Sequence, residues 1–354
     1  METKNRPSRQ FTPEAFLRLN ENPDPDFYAT ERLVSHLDST ALDTIERLIE
    51  NLVTDSDPEI LDLMASWDSH LPAALRGARV AGLGLNEHEL ERNAALSERV
   101  LHDLNADPRL PFDDGRFDAV LCTVSIDYLT KPVEIFAEAA RVLKPGGLFL
   151  VTFSNRFFPE KVVAIWREAN EDQRVDLVRE FFELAGGFEK PRVVVRRGQP
   201  RPADDKYAGV APAGDPVFAV FADRLGGSGE TRQASEFTEI GAPLDADELR
   251  ARKRAVKQTM QCPHCDHPLS KWEVPNTPFT EWTSMHQFIC FNDDCPHYQR
   301  GWSAFSRQNI PGSTRFMYDP DTNTCHSVPV LTPDALRASI VADEPAPAGA
   351  DGSD

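Results

Sequence analysis

Short apolar runs separated by helical stretches dominate the first two-thirds of the chain. Glu59–Leu63, Arg79–Leu83, Val100–Asp103, Phe117–Thr123 and Leu148–Phe153 each fit a strand of a parallel sheet buried on both faces. Ahead of them, Ser39–Leu52 puts Leu42, Ile45, Leu48, Ile49 and Leu52 on one helical face, expected to cover the sheet edge or cap a ligand cleft. Asn86–Leu96 predicts a short helix. Pro132–Leu143 predicts another, with Val133, Phe136, Ala140 and Leu143 at helical spacing. Lys144-Pro145-Gly146-Gly147 stops that helix, because proline cannot continue it and glycine tolerates the turn back. Strand, helix and parallel strand imply a right-handed crossover. A helical region follows from Pro159 through Ala185, with a break near Asn170, and Gly186-Gly187 ends it. Arg192–Arg196 and Val217–Asp223 then read as two strands with no helix between them, which predicts an antiparallel edge pair.

The apolar rhythm also divides the chain. Residues 1–26 are polar and proline-rich and are expected to be flexible, apart from a short helix that Thr12-Pro13-Glu14 starts. The first domain is expected over 27–224. Residues 225–257 form a linker of low apolar content followed by a basic helix, Asp245–Lys257, whose cations suit a helix C-terminus. A cysteine-rich domain is expected over 258–335. The remainder, 336–354, holds a short helix end and a tail with nothing to bury, expected to be disordered.

Length and charge narrow the function. At 354 residues the chain has room for two domains, and its net charge of -19 argues against general binding to nucleic acid or anionic membranes. No run approaches membrane-spanning length, and the first residues lack the apolar core of a signal peptide. Six cysteines, four of them in one short segment, fit metal binding in a reducing compartment, so a soluble cytoplasmic protein is expected.

Those four are Cys262-Pro-His-Cys265 and Cys290-Phe-Asn-Asp-Asp-Cys295. Thiolates arriving as two knuckles suit a tetrahedral, structural Zn2+; paired disulfides are the alternative. Trp272, Trp282, Phe288, Phe291, Tyr298, Trp302 and Phe305 would form a core around this staple. His264, His267 and His297 could each replace a cysteine, whereas Cys325-His326 lies outside the spacing. The spacing resembles zinc ribbons, and more closely the Ogr/Delta-type zinc fingers of phage regulators, over roughly Cys262 to Tyr298. That resemblance implies DNA binding. From Gln258 to Pro320, however, Asp266, Glu273, Glu281, Asp293, Asp294 and Asp319 outnumber Lys271, Arg300, Arg307 and Arg315, so contact with a protein or substrate is expected instead.

Leu110-Pro-Phe, Phe117-Asp118 and Leu143-Lys-Pro-Gly-Gly147 resemble the segment from the fourth to the fifth strand of class I S-adenosylmethionine-dependent methyltransferases. The resemblance covers roughly Phe27 to Arg224. It implies a Rossmann-like α/β sheet ending in an antiparallel edge strand, with S-adenosylmethionine as cofactor. In that family the loop after the first strand is glycine-rich, and an acid ending the second strand binds ribose hydroxyls. Here the loop is Met64-Ala65-Ser66-Trp67-Asp68-Ser69-His70, and Gly84 stands where the acid is expected. Asp62-Leu-Met-Ala-Ser-Trp67, Ser69-His-Leu-Pro72, Gly82-Leu-Gly-Leu-Asn86, Tyr128-Leu129 and Phe153-Ser-Asn-Arg156 resemble a narrower, uncharacterised branch in which the glycine-poor loop is the normal form.

The resemblance assigns Asp62, Trp67, Asn86 and Asp103 to the cofactor. Trp67 would stack on adenine or face the sulfonium, or else fill the cofactor space as core. Asn86 would replace the missing acid, or serve as a helix N-cap. Asp127, Tyr128, Asn155 and Arg156 lie beyond the carboxyl ends of the fourth and fifth strands, where open α/β sheets bind ligands. Asp127 or Tyr128 would act as base and Arg156 would hold an anionic group, or all four are turn and cap residues. Cys122 reads as a small core residue. The expectation is a methyltransferase acting on an unidentified acceptor, with a zinc ribbon for partner or substrate contact. The alternative is a non-catalytic binding protein that has lost the cofactor.

Overall fold

The computed structural model describes residues 11–211, 213–227, 232, 234, 237, 244–275, 284–308 and 310–341. The chain forms two compact units, residues 1–241 and 242–354. The tail expected to be disordered lies beyond residue 341, and with Trp282 it falls outside the described residues.

The first unit runs α1 (Asp24–Tyr28), α2 (Ser39–Leu52), β1 (Glu59–Leu63), β2 (Arg79–Gly84), α3 (Glu87–Arg92), β3 (Glu98–Leu101) and β4 (Phe117–Thr123). Then come α4 (Pro132–Val142), β5 (Leu143–Phe153), α5 (Ala164–Glu168), α6 (Glu171–Ala185), β6 (Arg192–Arg196) and β7 (Val217–Asp223). The seven strands lie in the order β3-β2-β1-β4-β5-β7-β6. β1 pairs in parallel with β2 and β4, and β4 with β5, while β7 runs antiparallel to both β5 and β6. This is the expected Rossmann-like sheet with its antiparallel edge.

Side-chain alternation explains why the strand sequences are apolar throughout. Leu61, Leu63, Val120, Cys122, Phe149 and Val151 pack with Phe136, Phe181 and Phe182 of α4 and α6. Ile60, Val80, Ala119, Leu121 and Leu150 pack on the opposite side with Ile45, Leu48, Ile49 and Leu52 of α2. Helix α2 therefore covers a sheet face and not its edge, while its Leu42 reaches the cavity, in keeping with the expected cleft cap. The break near Asn170 is a capping box: Asn170 accepts from the Gln173 backbone N–H, and the Gln173 side chain accepts from that of Asn170. β3 begins and ends two residues earlier than expected, which leaves Asp103 in the loop beyond it.

Two segments expected to be loose are held. Phe11 and Phe16 pack on Phe181, and buried Asp24 takes ion pairs from Arg18 at 2.6 Å and fully buried Lys161 at 2.9 Å. Aromatic burial and a satisfied charge cluster thus order part of the stretch before residue 27. In the expected linker, Ala234 and Phe237 are buried against the α2 face, and Arg232 bonds Leu52 O and Asp55. Among the described residues, no helix is long and apolar enough to cross a membrane.

The second unit contains α7 (Ala246–Thr259), β8 (Ser270–Glu273), β9 (His286–Ile289), α8 (Pro296–Ser306), β10 (Ser313–Asp319) and β11 (Thr324–Val330). Its strands form an antiparallel sheet in the order β11-β10-β9-β8. Asp245 caps α7, and Val256 on that helix is buried in the cysteine cluster, so the basic helix belongs to this unit. Helix α8 and the β10–β11 hairpin were not foreseen. Tyr298, Trp302 and Phe305 have helical spacing, but they sit in a stretch read for its aromatics alone. Fully buried Arg315 joins the two ends of this core, pairing with Asp293 at 2.6 Å and stacking on Tyr298 at 4.0 Å.

Candidate functional site

A cavity of about 490 Å³ opens at the carboxyl ends of β1 to β4. That is where strand order reverses in a doubly wound sheet, so the loops diverge and leave a crevice. Residues between Tyr28 and Leu37 line one side, and Asp205, Lys206, Tyr207 and Asp215 line another. Paired contacts hold both walls. Asp38 and Asp215 bond each other's backbone N–H, at 2.6 and 3.1 Å, and Arg201 lies 3.0 Å from Asp215 and 3.5 Å from Asp38.

The loop after β1 explains the missing acid at the end of β2. Met64 takes a left-handed φ of 58°, and the Ala65 N–H then donates to Leu83 O at 2.8 Å. This brings the Ala65 carbonyl across β2, where a Cβ on Gly84 would meet its oxygen at 2.3 Å. No side chain of any kind fits there. The loop is held further by Ser66 Oγ donating to Glu89 at 2.6 Å and Asn93 Nδ2 donating to Ser66 O at 2.9 Å.

Of the residues assigned to the cofactor, Asp62, Trp67, Asn86 and Asp103 all line the cavity. Asp62, at the end of β1, is 4% exposed; burial pushes its carboxyl up to about 7 despite a hydrogen bond from Ser69. Trp67 directs its indole N–H to Val34 O at 3.4 Å. Asn86 is the N-cap of α3: its Oδ1 accepts from the Glu89 N–H, and its Nδ2 donates to Tyr28 O and Ala29 O. These bonds commit the amide to structure, so the N-cap reading describes its contacts. Asp103 caps the next turn, with Oδ1 accepting from the N–H groups of Asn105 and Ala106.

The acceptor-side candidates separate. Tyr128 and Arg156 line the cavity; Asp127 and Asn155 are not among its lining residues. Asp127 is buried below, and burial raises its carboxyl to about 7. Tyr128 Oη accepts from the Phe158 N–H at 2.8 Å. Burial, with Asp127 beside it, holds the phenol well above its usual range, which makes Tyr128 a poor base. Asn155 is exposed and reaches Glu171 on α6 at 3.4 Å. Arg156 spends its charge on Asp215 at 2.8 Å and stacks on Tyr207 at 4.8 Å, so it is not a free anion clamp.

Sequence reasoning missed several cavity residues. Tyr28, Arg32, His36, Glu89, Lys206 and Tyr207 all line it. The only signal was local: Phe27, Tyr28, Arg32 and His36 bring aromatic and basic groups into one stretch just before a helix. Burial, then the charge of Arg32, lowers the His36 imidazole. The Tyr28 hydroxyl is buried, with no hydrogen-bond partner among the described residues. An orphaned polar atom at a cavity wall fits a site that takes a polar ligand group.

In the second unit the sulfurs of Cys262, Cys265, Cys290 and Cys295 all lie within 4.8 Å of one another. Cys262 and Cys295 are 3.9 Å apart, and Cys265 and Cys290 are 3.7 Å apart. Four thiolates about 2.3 Å from a tetrahedral zinc would stand about 3.8 Å apart, so the donor set fits that ion. His264 and His297 stack on each other at 4.4 Å, and Asp293 is held by Arg315 and Arg337.

Strand order, the antiparallel β7 and a cavity at the switch point define a Rossmann-like fold of the class I methyltransferase kind. Residues 67–151 match the sequence model of a methyltransferase domain family. The chain is 34% identical over 131 residues to a fatty-acid O-methyltransferase of Mycolicibacterium smegmatis, a match covering 34% of this chain and 45% of that one. It is 31% identical over 91 residues to a ubiquinone biosynthesis O-methyltransferase of Dechloromonas aromatica, covering 23% and 38%. The chain thus spans less than half the length of either relative. Among solved structures, a SAM-dependent methyltransferase from Methanosarcina mazei aligns with a TM-score of 0.34 at 17% identity, covering 50% of this chain and 97% of that one. A Haemonchus contortus phosphoethanolamine N-methyltransferase 2 in complex with S-adenosyl-L-methionine aligns with a TM-score of 0.35 at 15% identity, covering 52% of each.

Proposed function

We propose that this chain is an S-adenosylmethionine-dependent methyltransferase acting on a small-molecule acceptor, with a structural zinc in its second unit. The observation that carries the reading is the cavity at the ends of β1 to β4, lined by Asp62, Trp67 and Asp103 and of a size that suits a nucleoside-sized ligand. When bound, the cofactor would supply an electrophilic methyl group on a sulfonium. The chain's own task is positioning, which is the larger part of catalysis for a simple displacement. Asp103 and Asp62 offer acceptor oxygens at the ends of β3 and β1, and Trp67 offers an aromatic face. With no side chain possible at position 84, Glu89 on α3 supplies the carboxylate nearest in sequence on that wall. The zinc unit serves as a contact surface for a protein or the substrate, and its thiolates suit a reducing, cytoplasmic setting.

A competing reading, a binding protein without catalysis, draws support from the Ala65 carbonyl that fills the space over Gly84. Calorimetric titration of the full chain with S-adenosylhomocysteine separates the two. Micromolar binding that weakens in Asp103→Ala supports the enzyme. No binding at millimolar ligand, with the protein folded, transfers support to the competitor.

A further inference from the structure

The acceptor side of the cavity carries a charge pattern unlike the rest of this acidic chain. Arg156, Arg201, Asp205 and Asp215 neutralise one another there through ion pairs of 2.8 to 3.0 Å. Arg32 and Lys206 do not take part. Among the described residues the Arg32 guanidinium donates only to the Thr30 and Phe27 carbonyls, and it lies over the Phe27 and Phe158 rings at 4.8 and 5.3 Å. The Lys206 ammonium sits 5.0 Å from the Tyr207 ring and has no carboxylate within ion-pair distance among the described residues. His36 lines the same cavity as both cations, packs edge-on to Phe158 at 5.3 Å and has no hydrogen-bond partner among the described residues.

Resting on the methyltransferase reading, we infer that the acceptor is a carboxylate-bearing molecule with an apolar or aromatic body, its carboxylate set among Arg32, His36 and Lys206 and its body against Phe158 and Tyr207. The physical case has three parts. Arg32 and Lys206 have no ion-pair partner among the described residues and outnumber Glu89, whose carboxylate takes the Arg32 backbone N–H at 2.7 Å, so this end of the cavity offers an anion two cations in a chain of net charge -19. The Phe27 and Phe158 rings beneath Arg32 partly shield that side of the site from water, where charge-assisted hydrogen bonds are stronger. The third part is His36: burial and then Arg32 lower its imidazole, Glu89 opposes them, and Lys206 adds a smaller push, so Arg32 is the charge that reaches it most strongly. The carboxylate oxygen would itself take the methyl group, forming an O–CH3 bond as the S–CH3 bond breaks and S-adenosylhomocysteine leaves, and no base is needed because a carboxylate is already ionised at neutral pH.

The test uses the full chain and 4-phenylbutyrate, compared with its neutral amide, 4-phenylbutanamide, by calorimetry with and without saturating S-adenosylhomocysteine. The acid is expected to bind at least about tenfold more tightly than the amide. Lys206→Met, at an exposed position where folding is not at risk, should weaken the acid about fivefold or more and leave the amide unchanged; Arg32→Met should do the same, and Arg32→Lys should recover part of the loss. Equal affinity for acid and amide, or an unchanged acid affinity in Lys206→Met, overturns the inference. Binding of S-adenosylhomocysteine without the acid sinks the acceptor class and leaves the methyltransferase reading standing. Binding of the acid without S-adenosylhomocysteine sinks the methyltransferase reading and leaves an anion site.

Discussion

Gly84 gives a sharp test of how this cavity is built. A Cβ at that position would lie 2.3 Å from the Ala65 backbone oxygen and 3.1 Å from Leu90 Cδ2. The carbonyl cannot swing away freely, because the Ala65 N–H bonds Leu83 O at 2.8 Å and Ser66 is tied to Glu89 and Asn93. Gly84→Ala must therefore shift the loop and weaken one or two hydrogen bonds at about 0.5–1.5 kcal/mol each. With overpacking, the total is about 2–4 kcal/mol. For a unit of this size that lowers Tm by roughly 4–15 °C, read by thermal denaturation with tryptophan fluorescence. Gly84→Asp should cost at least as much, and should lose affinity for S-adenosylhomocysteine although it restores the acid expected at that position. Gly77→Ala is the control: nothing lies within 4 Å of its added Cβ, so its change should stay within about 0.5 kcal/mol. A Gly84→Ala protein melting within a degree of wild type, or tighter S-adenosylhomocysteine binding by Gly84→Asp, would refute the reasoning.

Three further outcomes follow from the same contacts. Cys290→Ser should lose most of the bound zinc found by elemental analysis, since three thiolates cannot close the tetrahedron; retention of a full equivalent would count against the site. Arg201→Met leaves buried Asp38 and Asp215 short of a partner and should cost about 3–5 kcal/mol in urea denaturation, whereas Arg156→Met, at a partly exposed pair, should cost about 1 kcal/mol or less. Asp62 is raised to about 7 in the folded protein, so between pH 4 and 7 the unfolded chain gives up a proton that the folded chain keeps, and stability falls as pH rises. Asp62→Asn removes that slope and should stabilise the protein at pH 8 relative to pH 4, by an amount on the order of 4 kcal/mol at most; a mutant effect independent of pH would contradict the assignment.

The sheet was legible in the sequence because strands buried on both faces leave continuous apolar runs. Glu59–Leu63, Phe117–Thr123, Arg192–Arg196 and Val217–Asp223 have the same bounds in the sequence reading and in the fold. The cysteine spacing likewise announced a cluster, since two knuckles carry most of a tetrahedral site within themselves. The break at Asn170 had a local cause, a capping box, but α8 did not declare itself beneath its aromatics.

What only the tertiary structure decided is the cavity wall. Tyr28 and Ala29 meet Asn86, Arg32 meets Glu89, and Asp38 meets Asp215, pairs separated by 57, 58 or 177 residues. The stretch between α1 and α2 has no periodicity, because part of its backbone is satisfied by side chains far off in the sequence. Gly84 shows the same division. The sequence determined that no acid stands at the end of β2, but the reason is a carbonyl contributed by the neighbouring strand's loop. Arg156 reads as a free cation in the sequence and is neutralised by Asp215, while Arg32 and Lys206 line the cavity with no ion-pair partner among the described residues. Residue type sets which charges the chain carries; distance in the folded state sets which of them remain to meet a ligand.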